Sequence, residues 1–425
     1  MQYGLIGEKL GHSYSKDIHE MLGRYSYELK ELAREDLPAF LEGRDFCGLN
    51  VTIPYKETVM PFLDEIDDRA KRIGCVNTIV NRNGRLIGYN TDFDGMLTAL
   101  RKTGAEFEGM RVLILGTGGT AKTAYAVLKE LKAGEIHFAS RRKEQAFCPD
   151  LTVTYDEAVT ELTETEFIVN TTPCGMYPKT DGMAIDPARF PKLYGTFDVV
   201  YNPTGTRFVQ RTKELGKQSV GGLTMLVGQA VSAAEKFLNE PIPADAAKTV
   251  EAAIRMRNTN LVLTGMPGVG KSTVGKLLAE RLKMDFVDTD ELIVERENRE
   301  ITDIFRDDGE GYFRDVEQAV IRDVSLRRHT VIATGGGAVL RRDNVLALKE
   351  YGTVVFLNRA PETLVPTEDR PLADNEEKMA RLYRERLPIY RATADMEMDG
   401  SIGTEAEVRR IAEYFEAGCE GLTEQ

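Results

Sequence analysis

Short runs of β-branched and leucine residues recur along this chain. Each ends in a polar or glycine-rich turn and is followed by a stretch with helical spacing. Before residue 100 the runs fall at 3–6, 48–53 and 78–80, punctuated by turn pairs such as Pro54-Tyr55 and Asn83-Gly84. They continue at 111–115, 135–139, 167–170 and 196–200, an alternation that predicts a doubly wound parallel sheet. Residues 228–257 are alanine-rich and helical in pattern, broken at Pro241 and Pro243, and new strands are expected at 261–264, 286–290 and 330–334. The natural division lies near 255–259. It gives a first part at 1–257 and a second at 258–425, the first built from a subdomain of 1–100 plus 230–257 and another of 101–229.

Composition narrows the class. A chain of 425 residues is too long for one core, and 42% hydrophobic with 29% charged residues is globular, so each part is expected to bury a core of its own. The net charge of -13 excludes non-specific binding to nucleic acid or anionic membranes, so anionic ligands must be held in local cationic or N–H-rich pockets. Five scattered cysteines without C-x-x-C spacing fit reduced thiols, and a packing role is the first expectation for Cys174. The apolar run at the start is too short for a signal peptide and no stretch approaches a membrane span, so the expected location is the cytoplasm.

Two turns are suited to phosphate. Gly116-x-Gly118-x-x-Ala121 follows the strand at 111–115 and opens a helix expected to reach about residue 131, the context of a dinucleotide fingerprint. After the strand at 135–139, where an NAD enzyme carries an acid, stands Ser140-Arg141-Arg142. Two guanidiniums and a hydroxyl suit a 2′-phosphate, which points to NADP(H); the competing reading is a solvated basic turn. The second turn, Gly265-x4-Gly270-Lys271-Ser272, is a P-loop: backbone N–H groups wrap phosphates, Lys271 reaches the outer ones, and the Ser272 hydroxyl can ligate Mg²⁺. No Asn-Lys-x-Asp guanine motif accompanies it, and the part is compact, which favours a nucleoside-monophosphate-kinase-like parallel sheet over a GTPase or a motor.

Hydride transfer to a ketone requires a proton donor. Histidine is scarce, at positions 12, 19, 137 and 329 only. Thr52 and Lys56 fall near a strand end, and Asp92 falls in a polar turn, so Lys56 and Asp92 together could shuttle the proton. Taken singly, an exposed lysine and a helix-capping aspartate are the simpler readings.

The motifs come in a set. Gly11-His-Ser-Tyr-Ser15, Asn50-Val-Thr-Ile-Pro-Tyr-Lys56, Gly74-Cys-Val-Asn-Thr78, Asn90-Thr-Asp92 and Gly116-Thr-Gly-Gly119 are followed by Asn170-Thr-Thr-Pro-Cys-Gly-Met176, Asp198-Val-Val-Tyr-Asn-Pro203 and Gly222-Leu-Thr-Met-Leu-Val-Gly-Gln229. In this order they resemble shikimate dehydrogenase over residues 1 to about 250. The resemblance implies an α/β substrate domain plus a Rossmann NADP-binding domain, with Lys56 and Asp92 as the catalytic pair. It implies that Ser13 and Ser15 donate to the substrate carboxylate, with Tyr201 near it, and that Thr52, Asn77, Asp92 and Gln229 hold the ring hydroxyls and carboxylate. It also implies Gly116, Gly118, Gly119 and Thr120 in the dinucleotide turn, with Gly222 and Met225 near the nicotinamide. The two serines favour shikimate over quinate. Lys16, in place of the usual proline, and Lys122, in place of a small residue or arginine, depart from the family's pattern.

Beyond the P-loop, Phe286-Val-Asp-Thr-Asp290 is expected to place two acids on one side of a strand, one for a metal shell and one for a substrate hydroxyl. A turn at 309–314 leads into a helix bearing Glu317, and Gly335-Gly-Gly337 ends the strand at 330–334. Arg370 and Arg386 add guanidiniums. These stretches resemble shikimate kinase from residue 260 to about 415. The resemblance implies that Gly268, Gly270, Lys271, Ser272 and Thr273 cradle ATP, that Ser272 and Asp288 serve Mg²⁺, and that Lys271 and Asp290 are catalytic, with Asp290 on the attacking hydroxyl. Arg314 and Arg386 hold the carboxylate, Gly335, Gly336 and Gly337 line the pocket, and Arg370 belongs to a lid that is short and lacks a usual arginine.

The combined expectation is a bifunctional enzyme of aromatic amino-acid (chorismate) biosynthesis. It reduces 3-dehydroshikimate with NADPH and then phosphorylates shikimate with ATP and Mg²⁺; its partners are these small molecules, not nucleic acid or membrane. The alternative is a shikimate dehydrogenase carrying a non-catalytic kinase-like module. The oligomeric state stays open between monomer and homodimer.

Overall fold

The computed structural model describes residues 1–11, 13–23, 25–364 and 376–420. The chain divides into Met1–Ile254 and Arg255–Gln425, slightly before the break that the residue order predicts after position 257. The division falls inside one helix, Ala244–Asn258, so chain continuity gives no composition signal at that point.

The first unit holds two six-stranded sheets. The first runs β1 (Tyr3–Gly7), β2 (Glu28–Glu31), β3 (Gly48–Val51), β4 (Glu65–Ile66), β5 (Thr78–Arg82) and β6 (Arg85–Tyr89), in spatial order β2-β1-β3-β5-β6-β4. Here the expectation of parallel strands needs correction. β5 pairs antiparallel with both β3 and β6, because Asn83 and Gly84, both at positive φ, fold β5 and β6 into a tight hairpin.

The second sheet is parallel throughout: β7 (Val112–Leu115), β8 (Ile136–Ala139), β9 (Thr152–Val153), β10 (Phe167–Asn170), β11 (Gly195–Asp198) and β12 (Gln218–Val220), in order β12-β11-β10-β7-β8-β9. Its strands are apolar on both faces because helices cover both. Val112, Ile114, Phe167 and Val169 join one core, and Leu113, Leu115 and Ile168 the other.

The helices Asp92–Lys102 and Leu223–Leu238 cross where Gly95 meets the second helix. A β-carbon at Gly95 would collide with the Met225 carbonyl and lie 2.8 Å from the Gln229 nitrogen, and one at Gly228 would lie 3.0 Å from the Gly95 Cα. The missing side chains let two backbones touch, which sets Asp92 and Gln229 on facing helices.

The second unit is one parallel sheet of β13 (Asn260–Gly265), β14 (Asp285–Asp288), β15 (Thr330–Ala333), β16 (Gly352–Asn358) and β17 (Met396–Asp399), in order β14-β15-β13-β16-β17. Leu261 and Leu263 point into one core and Val262 into the other, the period of two expected of a central strand. Among the described residues no helix is long and apolar enough to cross a membrane.

Gly95→Ala is expected to lower the unfolding free energy of the first unit by about 1–3 kcal/mol, since the added methyl meets backbone that has no rotamer to yield. Denaturant unfolding of the variant and its parent measures the difference.

Candidate functional sites

Lys56 follows β3 through a turn that starts at Thr52, whose N–H is tied to the Ile6 carbonyl, and the Lys56 carbonyl accepts from Val76 N–H at 2.8 Å. Its ammonium meets the Asp92 carboxylate at 2.6 Å, with side-chain exposures of only 17% and 9%. Burial works to lower the Lys56 ammonium, but the Asp92 charge, the Cys75 thiol and the hydrogen bond carry it above its ordinary value. Asp92 opens the helix Asp92–Lys102 rather than lying in a turn, because Thr91 is pinned just before it: Asn77 accepts from Thr91 N–H at 2.7 Å and donates to its hydroxyl at 3.1 Å. Asn77 therefore spends part of its amide on this brace.

Ser13 and Ser15 hydroxyls stand 3.0 Å apart at the start of the helix Ser15–Met21. Tyr201 is pushed up to about 12 by burial and by Tyr14, with a hydrogen bond to Ser13 acting the other way, so these three side chains meet. Gln229 donates to the Leu226 carbonyl at 2.8 Å from the helix that faces Asp92. Thr52 is half-buried at the turn before Lys56.

The glycine turn after β7 stands beside this pair. Gly116 has φ +99°, and the helix Gly119–Glu130 begins without a side-chain cap, leaving its first N–H groups, at Gly119 and Thr120, without a capping side chain. A β-carbon at Gly118 would meet nothing within 4 Å, so the turn offers backbone to a phosphate. At the end of β8 Ser140 accepts from Arg142 N–H at 3.2 Å, and the Arg141 and Arg142 side chains are exposed. These residues fit a dinucleotide with a 2′-phosphate. Gly222 and Met225 lie at the start of the helix Leu223–Leu238, with Gly222 pressed on the Val199 carbonyl.

Sequence reasoning missed what joins the two sheets. The Cys75 thiol, pushed up to about 11 by burial, lies 3.7 Å from where a Gly119 β-carbon would sit. Lys122 reaches Glu57, next to Lys56, at 2.8 Å. Lys122 was visible only as a departure from the family's pattern; its partner depends on how the sheets face each other.

In the second unit a cavity of about 400 Å³ brings together Gly268, Gly270, Lys271, Ser272, Thr273, Asp288, Asp290, Arg314, Gly335, Gly336, Gly337 and Arg386. Arg370 and the lid positions 365–369 lie outside the described residues. Gly268 and Gly270 have φ of +81° and +98°, the conformation that turns P-loop N–H groups inward, and Lys271 folds onto the Gly265 and Met266 carbonyls at 3.0 Å each. The Ser272 hydroxyl donates to Asp288 at 2.6 Å. Among the described residues no cluster of three or more His, Cys, Asp or Glu could hold a metal. One hydroxyl and one carboxylate still fit Mg²⁺, which keeps water and takes phosphate oxygens for its remaining positions.

Two local expectations are corrected here. Asp290 lies in the first turn of the helix Thr289–Glu297, not on a strand, because Asp288 ends β14 and caps that helix by accepting from Asp290 N–H at 2.9 Å. Arg314 lies within the helix Gly309–Ser325 rather than in a turn before it, since Gly309, at positive φ, already starts the helix.

That helical placement puts Glu317 one turn beyond Arg314, and the two meet at 2.8 Å with Glu317 wholly buried. The Glu317 role was missed, although the spacing of three on a helix was readable. The apolar wall of Ile301, Phe305 and Phe313 was missed as well. Asp290 is pushed up to about 6 by burial and by the Asp288 charge, against the pull of Lys271, with Glu317 raising it and Arg314 lowering it. Its Oδ1, like Glu317 Oε1, is buried without a hydrogen-bond partner. A β-carbon would lie 2.6 Å from Asp290 Oδ1 at Gly335 and 2.7 Å from Pro267 at Gly336, and at Gly337 it would strike the Arg314 guanidinium. The triple glycine is thus packed on Asp290, Pro267 and Arg314.

A family model described as shikimate dehydrogenase substrate binding domain matches residues 5–79, and one described as shikimate kinase matches residues 267–416. The shikimate dehydrogenase (NADP(+)) of Clostridium perfringens (strain 13 / Type A) is 41% identical over 246 residues, covering 55% of this chain and 90% of that protein. Among solved structures, a chorismate mutase/shikimate 5-dehydrogenase fusion protein from Clostridium acetobutylicum is 35% identical with a TM-score of 0.56, covering 58% of this chain and 94% of that one. The shikimate 5-dehydrogenase from Thermus thermophilus, in complex with NADP(H) and shikimate, is 30% identical with a TM-score of 0.53, covering 59% of this chain and 98% of that one.

Gly337→Ala is expected to displace the flexible end of Arg314 rather than the backbone. The fold then survives while KM for the phosphoryl acceptor of the second unit rises by about tenfold, the worth of one charged hydrogen bond, and KM for ATP stays put. Steady-state kinetics with each substrate varied in turn reads this split.

Proposed function

This chain belongs to the shikimate dehydrogenase family and carries a shikimate kinase domain behind it, and on that footing we propose that one polypeptide carries out two consecutive steps of aromatic biosynthesis. The first unit reduces 3-dehydroshikimate to shikimate, and the second phosphorylates the 3-hydroxyl of shikimate. Bound NADPH supplies the hydride and ATP with Mg²⁺ supplies the phosphoryl group.

In the first step Lys56 gives a proton to the carbonyl oxygen as it becomes a hydroxyl. Its raised proton affinity keeps it charged for that task, and Asp92 holds it in line. Ser13, Ser15 and Tyr201 take the carboxylate, while Thr52, Asn77 and Gln229 read the ring hydroxyls. Ser140, Arg141 and Arg142 select the 2′-phosphate.

In the second step Arg314 and Arg386 hold the carboxylate, with Glu317 fixing the angle of Arg314. Asp290 accepts the proton of the attacking hydroxyl; with its carboxyl near 6 it is ionised at neutral pH and still basic enough to accept. Lys271 stabilises charge on the outer phosphates, and Ser272 with Asp288 takes the metal.

The observation that carries the kinase half is the gathering of Lys271, Asp290, Arg314 and Arg386 around one cavity. A non-catalytic module has no need of a phosphate lysine and an unpartnered buried carboxylate oxygen in the same pocket. The five free cysteines fit a reducing compartment, and the cytoplasm is part of the same proposal.

Two variants test the assignment. Lys56→Ala should cut hydride transfer by about 10²–10⁴-fold and leave phosphorylation of shikimate untouched, and Lys271→Ala should do the reverse by about 10²–10³-fold. Loss of both activities in either folded variant contradicts two autonomous sites.

A further inference from the structure

Asp198 closes β11 with no exposed surface, and the hydride-transfer scheme does not use it. Its carboxyl accepts from three separate segments. Asn170 donates to Oδ1 at 2.9 Å, Val200 N–H to the same oxygen at 3.0 Å, and the Thr206 hydroxyl to Oδ2 at 2.7 Å. Burial pushes the group up to about 6 despite these three bonds.

Two of the three bonded segments, those of Asn170 and Val200, lead to the cofactor side. The Asn170 oxygen, turned outward by the bond its amide makes to Asp198, accepts from Thr172 N–H at 3.1 Å and from the Thr172 hydroxyl at 2.7 Å, and that hydroxyl accepts from Cys174 N–H at 3.3 Å. Thr171 donates to the Leu115 carbonyl, the last of β7, at 2.6 Å. A β-carbon on Gly116 would lie 3.0 Å from Thr172 and 3.1 Å from Thr171, so this turn is the wall of the glycine turn. Val200 in its turn accepts from Gly222 N–H at 3.1 Å, which seats Gly222 against Val199. The Thr206 hydroxyl caps the helix Arg207–Glu214 by accepting from Val209 N–H at 3.2 Å.

We propose that Asp198 is a positioning residue for the dinucleotide. Through Asn170 and Val200 it fixes the turn at 171–175 and Gly222 at their distances from Gly116, so the cleft has its shape before the dinucleotide enters. The inference rests on the dehydrogenase reading of the first unit. It goes beyond that reading by assigning cofactor affinity, apart from substrate affinity, to a residue that touches neither.

The test uses the full chain and three variants. Asp198→Ala strands three donors. Asp198→Asn keeps a carbonyl for Asn170 and Val200, and its amide can donate to Thr206. Thr172→Val breaks the far end of the same chain without touching the core. NADPH affinity is read directly by nucleotide fluorescence, alongside KM for 3-dehydroshikimate and the kinase rate. Asp198→Ala and Thr172→Val should each weaken NADPH by about tenfold, with KM for 3-dehydroshikimate within about twofold and the kinase rate unchanged, and Asp198→Asn should recover most of the loss. If Asp198→Ala does not fold, Thr172→Val and Asp198→Asn decide the matter. Unchanged NADPH affinity in Thr172→Val, or equal losses for both ligands across the set, overturns the proposal. A parent protein that binds NADPH tightly yet fails to reduce 3-dehydroshikimate sinks the substrate assignment, while the affinity pattern still judges Asp198.

Discussion

A lysine ammonium and a carboxylate held 2.6 Å apart, mostly out of water, set the terms for the first unit. Neither charge is stable alone at that depth, so each must be delivered to the other with little freedom. Lys56 arrives from β3 through a short turn anchored on Ile6 and Val76, and Asp92 arrives at a helix start fixed by Asn77. The helix bearing Asp92 is pressed on its neighbour at Gly95, which carries Gln229 and Met225 to the same place. Asp92, Gln229 and Met225 thus owe their positions to one close helix crossing.

An acidic protein that works on acids needs cations and N–H groups in the right places and nowhere in particular elsewhere. Both units solve this at the ends of parallel strands, where glycine turns expose backbone and a few guanidiniums or a lysine complete the pocket. In the second unit Arg314 is held by Glu317 and Glu310, so its geometry is prepared in advance. Asp290 is surrounded by charges of both signs and keeps one buried carboxylate oxygen without a hydrogen-bond partner.

Much of this was legible in the residue order, and for a physical reason. Parallel strands buried on both faces read as apolar runs such as Val112–Leu115, and a turn that admits phosphate must carry glycine, so both nucleotide turns stood out. What was not legible depends on contacts distant in sequence. The antiparallel pairing of β5 with β3 is a choice of direction that alternation does not encode. The Lys122–Glu57 bridge and the Cys75 thiol beside Gly119 follow from how two sheets face each other. Asp290 falls one element later than the residue order predicts, because a strand end and a helix start share the cap residue Asp288. Nothing in the stretch 198–203 signals that the Asp198 carboxyl is buried on three donors, two of which are distant in sequence or in another element.

The proposed chemistry has shikimate made at one site of the chain and consumed at another. Incubating the purified protein with 3-dehydroshikimate, NADPH, ATP and Mg²⁺, and following products by mass, tests it most directly. The expected product is shikimate 3-phosphate, formed only when both nucleotides are present. Shikimate accumulating without phosphorylation, in the presence of ATP and Mg²⁺, contradicts it.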